Sequence, residues 1–278
     1  MLSDYRFSKL SDVDALRPSV IISILLVIVG WELLASTLPA YRFPGLRRLF
    51  AQTWIVLSGQ GKFDPVSNYS ISLLRISIGF VLVMTVGTLI GVLMGSAKKI
   101  EDYISTYIIV LLTIPSVIWA FLAVLWWGFT ELLVPVFVIT MIILPYVIIN
   151  MWEGTKDIDD DLIDMATAFK LQPVLVWRHI YIPHLKPYTF STMRWAFALS
   201  WQLSLVGEIF GSDSGVGVVV QNHYQLQQSD MILAWALPMM ILVFIADRIM
   251  QRIENKSYQW TADGGSGGSA GLSGGGMI

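Results

Sequence analysis

The chain has 278 residues, of which 55% are hydrophobic and only 14% carry charged side chains, with a formal net charge of −2. A soluble domain contains about 25% charged residues, so this composition argues against a soluble domain and predicts an integral membrane protein. The sequence contains no cysteine, which excludes a disulfide framework and a thiolate metal site. Its histidines, His179, His184 and His223, lack metal-ligand spacing, so no metal site is predicted.

Six apolar segments are long enough to cross a bilayer as helices, which requires about 20 residues each. The predicted spans cover residues 19–38, 71–95, 103–127, 132–151, 190–210 and 232–250. The fold class is therefore all-α, a polytopic membrane domain over residues 19–260. Residues 1–18 form a polar lead, expected to be a cytoplasmic N-terminal segment. A cleaved signal peptide is the competing interpretation of the first span, but the long polar lead and Pro39-Ala40-Tyr41 fit it poorly. Residues 261–278 are a flexible Gly/Ser tail with the composition of an artificial linker.

Residues 40–70 connect the first two spans and contain a predicted interfacial helix that begins after Pro44. The residues expected on its apolar face are Leu46, Leu49, Phe50, Thr53, Trp54 and Leu57. Glu32 lies inside the first span, where a carboxyl group either faces the bundle or lies close to an interface. The second span carries a stripe of small residues, Gly79, Gly87, Gly91 and Gly95, which we interpret as a helix-packing surface.

The largest polar block between hydrophobic runs is residues 153–187. Asp159 is a good N-cap, and the two aspartates after it place negative charge in the first turn of a helix. Apolar residues at helical spacing predict a short amphipathic helix over about 160–169. Pro173 is suited to the first turn of a second short helix. The apolar stripe of that helix is Val174, Trp177 and Ile180.

Charge distribution predicts the orientation of the chain. Six spans place both termini on one side, and if that side is cytoplasmic, all but five of the 18 Lys and Arg residues lie in inner segments. The five exceptions are Arg42, Arg47, Arg48, Lys62 and Arg75, in or beside the first outer connection. The positive-inside rule therefore predicts cytoplasmic N and C termini and a cytoplasmic loop at 153–187.

This loop resembles the EAA motif of permease subunits of bacterial ABC importers, which reads Glu-Ala-Ala, then Gly, nine residues, and Ile-x-Leu-Pro. Asp164-Met165-Ala166 stands at the Glu-Ala-Ala, Lys170 at the Gly, and Ile180, Ile182 and Pro183 at the end of the motif. Glycine permits a positive φ between the two loop helices. The lysine therefore predicts that the turn is made differently here, or that its edge suits a particular partner.

The resemblance extends from about residue 69 to 253 and is to the nitrate/sulfonate/taurine branch of these permeases. The segments that carry it are Ser72–Arg75, Gly79-Phe80, Pro115, Leu125–Gly128, Asn150, Gly154, Trp201, Glu208 and Gly215–Gly217. The resemblance implies the type I importer permease fold and no catalytic residues. It also implies a small, anionic solute such as nitrate, bicarbonate, a sulfonate or taurine.

Partners follow from the same resemblance. Two copies of the chain would form the pore in the bacterial inner membrane, two cytoplasmic subunits would bind ATP and Mg, and an extracytoplasmic binding protein would deliver the solute. The sequence has no Gly-x4-Gly-Lys-Ser/Thr phosphate loop, so ATP chemistry is assigned to a partner; no cofactor or nucleic acid is expected on this chain. The expected coupling residues are Asp164, Met165, Ala166, Lys170, Pro173, Ile180 and Pro183. The expected substrate-pathway residues are Arg75, Trp201 and Glu208.

Several alternatives remain open from the sequence. Glu208 either lines the path or accepts hydrogen bonds at an interface, and Arg75 either attracts an anion at the mouth or snorkels at the end of its span. Trp195 and Trp201 either line the pore or pack in the bundle. For the whole chain, the alternatives are an ion-driven secondary transporter without an ATPase and an intramembrane enzyme. Few intramembrane carboxyls and no internal repeat favour the importer.

Overall fold

The computed structural model describes residues 18–39 and 41–265, in which every regular element is helical. Most of the predicted lead at 1–18 and of the tail at 261–278 lies outside these residues. The helices are α1 (Pro18–Thr37), α2 (Leu46–Leu57), α3 (Pro65–Ser96), α4 (Lys98–Thr113), α5 (Ser116–Trp127), α6 (Leu133–Lys156), α7 (Asp160–Ala168), α8 (Pro173–Val176), a π-helical turn (Trp177–Tyr181), α9 (Ile182–Gly211), α10 (Val216–Gln225) and α11 (Ser229–Gly265). The last helix extends to Gly265 and so includes the first residues of the predicted tail.

Six membrane spans are formed when each bent pair of helices is counted as one. α1, α3, α6 and α11 are each long and apolar enough to cross a membrane alone. The pair α4–α5 bends by 96°, and the helix over Pro173–Gly211 bends by 61° from α10. The long helices also extend past the predicted span limits; α3, for example, begins at Pro65, where Asp64 caps it by accepting a hydrogen bond from the Ser67 N–H at 2.9 Å.

The third predicted span is not a single helix. α4 ends at Thr113, and Ile114 has extended backbone angles (φ −83°, ψ 119°) before Pro115. A proline disfavours the α conformation for the residue before it and has no N–H to continue the helix. The span therefore breaks at Pro115 instead of passing through it.

The second loop helix is also not separate. A helix starts at Pro173, as predicted, but it continues through the π-helical turn directly into α9. Within that turn the Ile182 N–H bonds to the Trp177 carbonyl, five residues back. Pro183 would clash with the carbonyl of residue 179 in a regular α-helix, and the wider π turn relieves this contact.

The bundle core is formed by α3, α6 and α9. The glycine stripe of α3 faces α6: a Cβ added at Gly79 would come within 2.8 Å of Ile139, and one added at Gly87 within 2.7 Å of Val147. Only glycine permits the two helices to approach this closely. The packing interpretation of the stripe is confirmed.

α1 packs on the rest of the chain only near its C-terminal end; its apolar window has no buried residue. There the Trp31 indole N–H donates to the Pro44 carbonyl at 3.0 Å, and Glu32 accepts from the Leu46 N–H at 2.8 Å. Leu46 opens α2, whose N-cap residue Gly45 has no side chain to do this. Glu32 therefore faces the start of α2 and caps it.

α2 packs on α11, but not through the whole predicted apolar face. Leu49 and Thr53 are buried with Val56, whereas Phe50, Trp54 and Leu57 are exposed. A helix at a membrane interface turns part of its apolar face to lipid, so these three exposed residues do not contradict the prediction of an interfacial helix, which stays a prediction. The stripe of Leu49, Thr53 and Val56 faces the rest of the chain.

Candidate functional site: the loop at 153–187 and a buried polar network

The first loop helix forms where the sequence predicts it. α7 covers Asp160–Ala168, and its N-cap Asp159 accepts a hydrogen bond from the Asp161 N–H at 3.0 Å. Asp164 and Met165 project from this helix and are exposed. Ala166, by contrast, is only 3% exposed. It packs within its own chain, so the expectation that Ala166 contacts a partner directly is not supported by the geometry.

Lys170 makes the turn after α7 in the way that a glycine would. Its φ is +48°, in the left-handed region. The Leu171 N–H bonds to the Ala166 carbonyl and the Lys170 N–H to the Thr167 carbonyl, both at 3.0 Å. These two bonds are the Schellman arrangement that closes a helix C-terminus. The prediction of a differently made turn is therefore wrong: the lysine adopts the strained backbone itself.

An apolar groove of about 640 Å³ lies beside α7. We call it the loop groove, and its lining residues are Leu162, Met165, Leu171, Leu175, His179, Ile180, Pro183 and His184. Three of the expected coupling residues, Met165, Ile180 and Pro183, thus share one surface. Three others, Asp164, Lys170 and Pro173, are exposed on the loop outside this lining.

Residues at the start of the loop contact two helices, α9 and α4. The Tyr188 hydroxyl, at the start of α9, donates to Asp157 Oδ2 at 2.7 Å, and the Tyr188 ring covers Gly154, where an added Cβ would lie 2.5 Å from it. On the other side, Lys156 Nζ lies 3.0 Å from Glu101 Oε1 of α4. These contacts fix where the loop leaves the bundle. Sequence reasoning missed Tyr188 and Glu101, because neither belongs to a recognisable motif.

At the opposite end of α9, Arg75 of α3 and Glu208 form an ion pair of 3.0 Å, and both side chains are completely buried. The guanidinium also donates to the Ser214 carbonyl at 2.7 Å and to Ser212 Oγ at 2.8 Å. Arg75 therefore neither snorkels nor stands at an open mouth. Its charge is neutralised inside the chain.

Glu208 completes this network by holding the start of α10. It accepts hydrogen bonds from Ser72 Oγ and the Gly217 N–H, both at 2.7 Å. At Gly215, φ is +104°, and a Cβ there would lie 2.6 Å from the Arg75 guanidinium. Glu208 is thus neither exposed to a path nor at an interface. The motifs at 72–75, 208 and 215–217 contain all these residues, but the sequence did not reveal that they contact one another.

The two tryptophans have different environments. Trp201 is 9% exposed in a core with Ile76 and Met239, so the packing interpretation applies to it. Trp195 is 40% exposed, and its ring meets that of Tyr146 edge to face, with centroids 5.1 Å apart. Of the three expected pathway residues, Arg75 and Glu208 are fully buried and Trp201 is 9% exposed.

Comparisons with known proteins agree with this architecture. The family described as "Binding-protein-dependent transport system inner membrane component" matches residues 87–257. The putative aliphatic sulfonates transport permease protein SsuC of Bacillus subtilis is 26% identical over 246 residues, covering 88% of this chain and 86% of the relative. The nitrate import permease protein NrtB of Synechococcus elongatus is 28% identical over 201 residues, covering 70% and 72%.

Among solved structures, the fold is similar to a chain of the MetNI methionine ABC transporter in inward-facing conformations, with a TM-score of 0.55 and 17% identity. The match covers 77% of this chain and 97% of that one. The family match and the fold argue against the two alternatives, an ion-driven secondary transporter and an intramembrane enzyme. The chain belongs to the inner membrane components of binding-protein-dependent transport systems, and it is the permease subunit of an ABC importer.

Proposed function

We propose that two copies of this chain form the translocation pathway for a small anionic solute and that two ATP-binding subunits, which hold ATP and Mg, dock on the loop at 153–187. The loop groove carries this proposal. It is a concave, mainly apolar surface of about 640 Å³ on the loop. Exposed apolar surface of this kind marks a site of protein interaction.

Within this interface, Met165, Ile180 and Pro183 provide the apolar floor, because they line the loop groove. Asp164 and Lys170 add one charge of each sign at exposed positions beside it. Pro173 begins the helix that forms the other wall. Ala166 acts indirectly, through its burial beneath α7.

The orientation, with both termini cytoplasmic, is supported by the count of basic residues. With the spans arranged in this way, 13 of the 18 Lys and Arg residues lie in inner segments and five in or beside the first outer connection. The positive-inside rule counts Lys and Arg and gives little weight to Asp and Glu, so the ion pairs that Arg75 and Arg48 form with Glu208 and Asp230 do not alter this count.

The solute class is supported by the relatives named for aliphatic sulfonates and for nitrate, both of which are small oxyanions. An extracytoplasmic binding protein would deliver the solute to the outer end of the pathway, as membership of a binding-protein-dependent family implies.

Co-purification tests the docking proposal. Met165→Asp places a charge in the loop groove and should release the ATP-binding subunits from the purified complex. Val66, at the outer end of α3, is 72% exposed, so Val66→Asp is a matched control that should leave them bound. Retention of the ATP-binding subunits by Met165→Asp, with the same stoichiometry as the control, would exclude the loop groove as the docking surface.

A further inference from the structure

A cavity of about 470 Å³ lies where the third span breaks. It is a half-open cavity between the α4–α5 elbow, α6 and α9, and its volume is within the range of sites for small solutes. Most of its lining is aliphatic. Its polar side chains are those of Ser116, Tyr146 and Trp195. We call it the elbow cavity.

These three side chains are hydrogen-bond donors: two hydroxyls and one indole N–H. Within residues 18–39 and 41–265, none of the three groups is hydrogen-bonded to another part of the chain. The rings of Tyr146 and Trp195 support one another edge to face. The cavity is therefore lined by three residues whose donor groups are not engaged by the chain.

The N-terminus of α5, which lies at the elbow, adds a positive electrostatic potential to the cavity. Ser116 is the first residue of α5, and its N-cap, Pro115, has no side chain that can satisfy the first amides of the helix. The N-terminus of a helix of this length carries a partial positive charge. Discontinuous membrane helices direct such ends at anionic substrate groups. No Asp, Glu, Lys or Arg lines the cavity, so an anion would be held by neutral donors alone.

We propose that the elbow cavity is the transit site of the translocated oxyanion, and that Ser116, Tyr146 and Trp195 contact it. This inference rests on the proposed function. Neutral donors suit a transit site, because a solute must be bound well enough to enter and weakly enough to leave. The Arg75–Glu208 pair does not serve this purpose, since both side chains are fully buried against each other.

The first test uses the absence of native cysteine. In the complete complex with its ATP-binding subunits, Ser116→Cys should react with 2-sulfonatoethyl methanethiosulfonate, a small anionic thiol reagent. Val27→Cys is the control, because Val27 lies in the middle of α1, which meets lipid or protein and not water, and it should not react. Methanesulfonate or nitrate, at about ten times its dissociation constant, should slow labelling of Ser116→Cys about tenfold.

The second test removes single donors without creating a large void. Tyr146→Phe and Ser116→Ala should each lower ATP-driven uptake of methanesulfonate or nitrate into proteoliposomes by about two- to tenfold, the usual effect of losing one hydrogen bond. Thr113→Val is the matched control. Its hydroxyl lies near the elbow but bonds to the Val110 carbonyl of its own helix, so uptake should not change.

Two results separate the proposals. If the wild-type complex takes up an oxyanion, but Ser116→Cys is unreactive or unprotected and uptake by Tyr146→Phe is unchanged, the elbow cavity is not the transit site. If the wild-type complex takes up neither methanesulfonate nor nitrate, the proposed solute class fails and the transit site fails with it.

Discussion

Arg75 and Glu208 lie 133 residues apart in the chain, and their side chains meet at 3.0 Å without any exposure to solvent. Through this pair, α3 and α9 are joined to the turn that starts α10. Charges in a membrane protein are expensive unless paired, so the contact is a structural requirement of this end of the bundle.

Glu208→Ala should therefore destabilise the chain. It leaves the Arg75 charge buried without its counter-ion, and losing one member of a buried pair costs about 3–5 kcal/mol. The denaturation midpoint of the detergent-solubilised protein measures the effect. The double substitution Arg75→Met with Glu208→Leu should be less harmful than the single one. Lys98→Met, which removes the exposed pairs of Lys98 with Glu101 and Asp102, should change stability far less than Glu208→Ala, because exposed ion pairs contribute little. Equal losses for single and double variants would contradict this explanation.

Lys170→Gly should stabilise the end of α7, because glycine adopts the left-handed conformation of Lys170 without strain. We expect a gain of about 1 kcal/mol, or about fivefold slower hydrogen exchange at the amides of α7. Lys170→Ala removes the same charge but keeps a Cβ, so it should give no such gain. If instead both variants lose the ATP-binding subunits, and more so at low salt, the charge of Lys170 contacts an acidic group of the partner.

Cysteines placed on the two ends of the bundle test the orientation. Asp160→Cys should be labelled by a membrane-impermeant reagent only from the cytoplasmic side. Tyr224→Cys, at a position that is 67% exposed on α10, should be labelled only from outside. The distribution of Lys and Arg residues along the chain motivates this expectation. The reverse pattern would invert the proposed topology.

The glycine stripe gives a packing prediction. Gly87→Ala would bring a methyl group within 2.7 Å of Val147, and overpacking of this kind costs about 1–3 kcal/mol. Gly30→Ala in α1 is the control, since nothing lies within 4 Å of a Cβ at that position. Thermal unfolding of both variants measures the difference. Adding Val147→Ala should restore much of the loss in Gly87→Ala, and failure to do so would place the strain elsewhere.

The features that could be predicted from the sequence were those with local signals. α7 falls at 160–168 because its cap, its acidic first turn and its apolar spacing all lie within ten residues of one another. The break at Pro115 could not be predicted in this way, because Pro145, Pro187 and Pro238 lie inside helices of the same chain. Whether a proline breaks a membrane helix depends on which neighbours can satisfy the freed backbone groups.

Contacts between distant segments could not be predicted from the sequence either. The motif around Arg75 and the one around Glu208 were both recognised, yet nothing in either indicates that they form a pair. Lys170 shows the opposite case: the position of the turn was predictable from spacing, but its backbone angle was not, since lysine rarely adopts a positive φ.

The continuity of the helix from Pro173 to Gly211 has a mechanical consequence. At 1.5 Å per residue this stretch is about 60 Å long, with the loop groove at one end and Glu208 near the other. Between these two sites the helix contains a π-helical turn and Pro187 but no break. We therefore expect a tilt of the helix at the loop groove to move the turn that Arg75 and Glu208 hold, so that the two ends of the bundle change together.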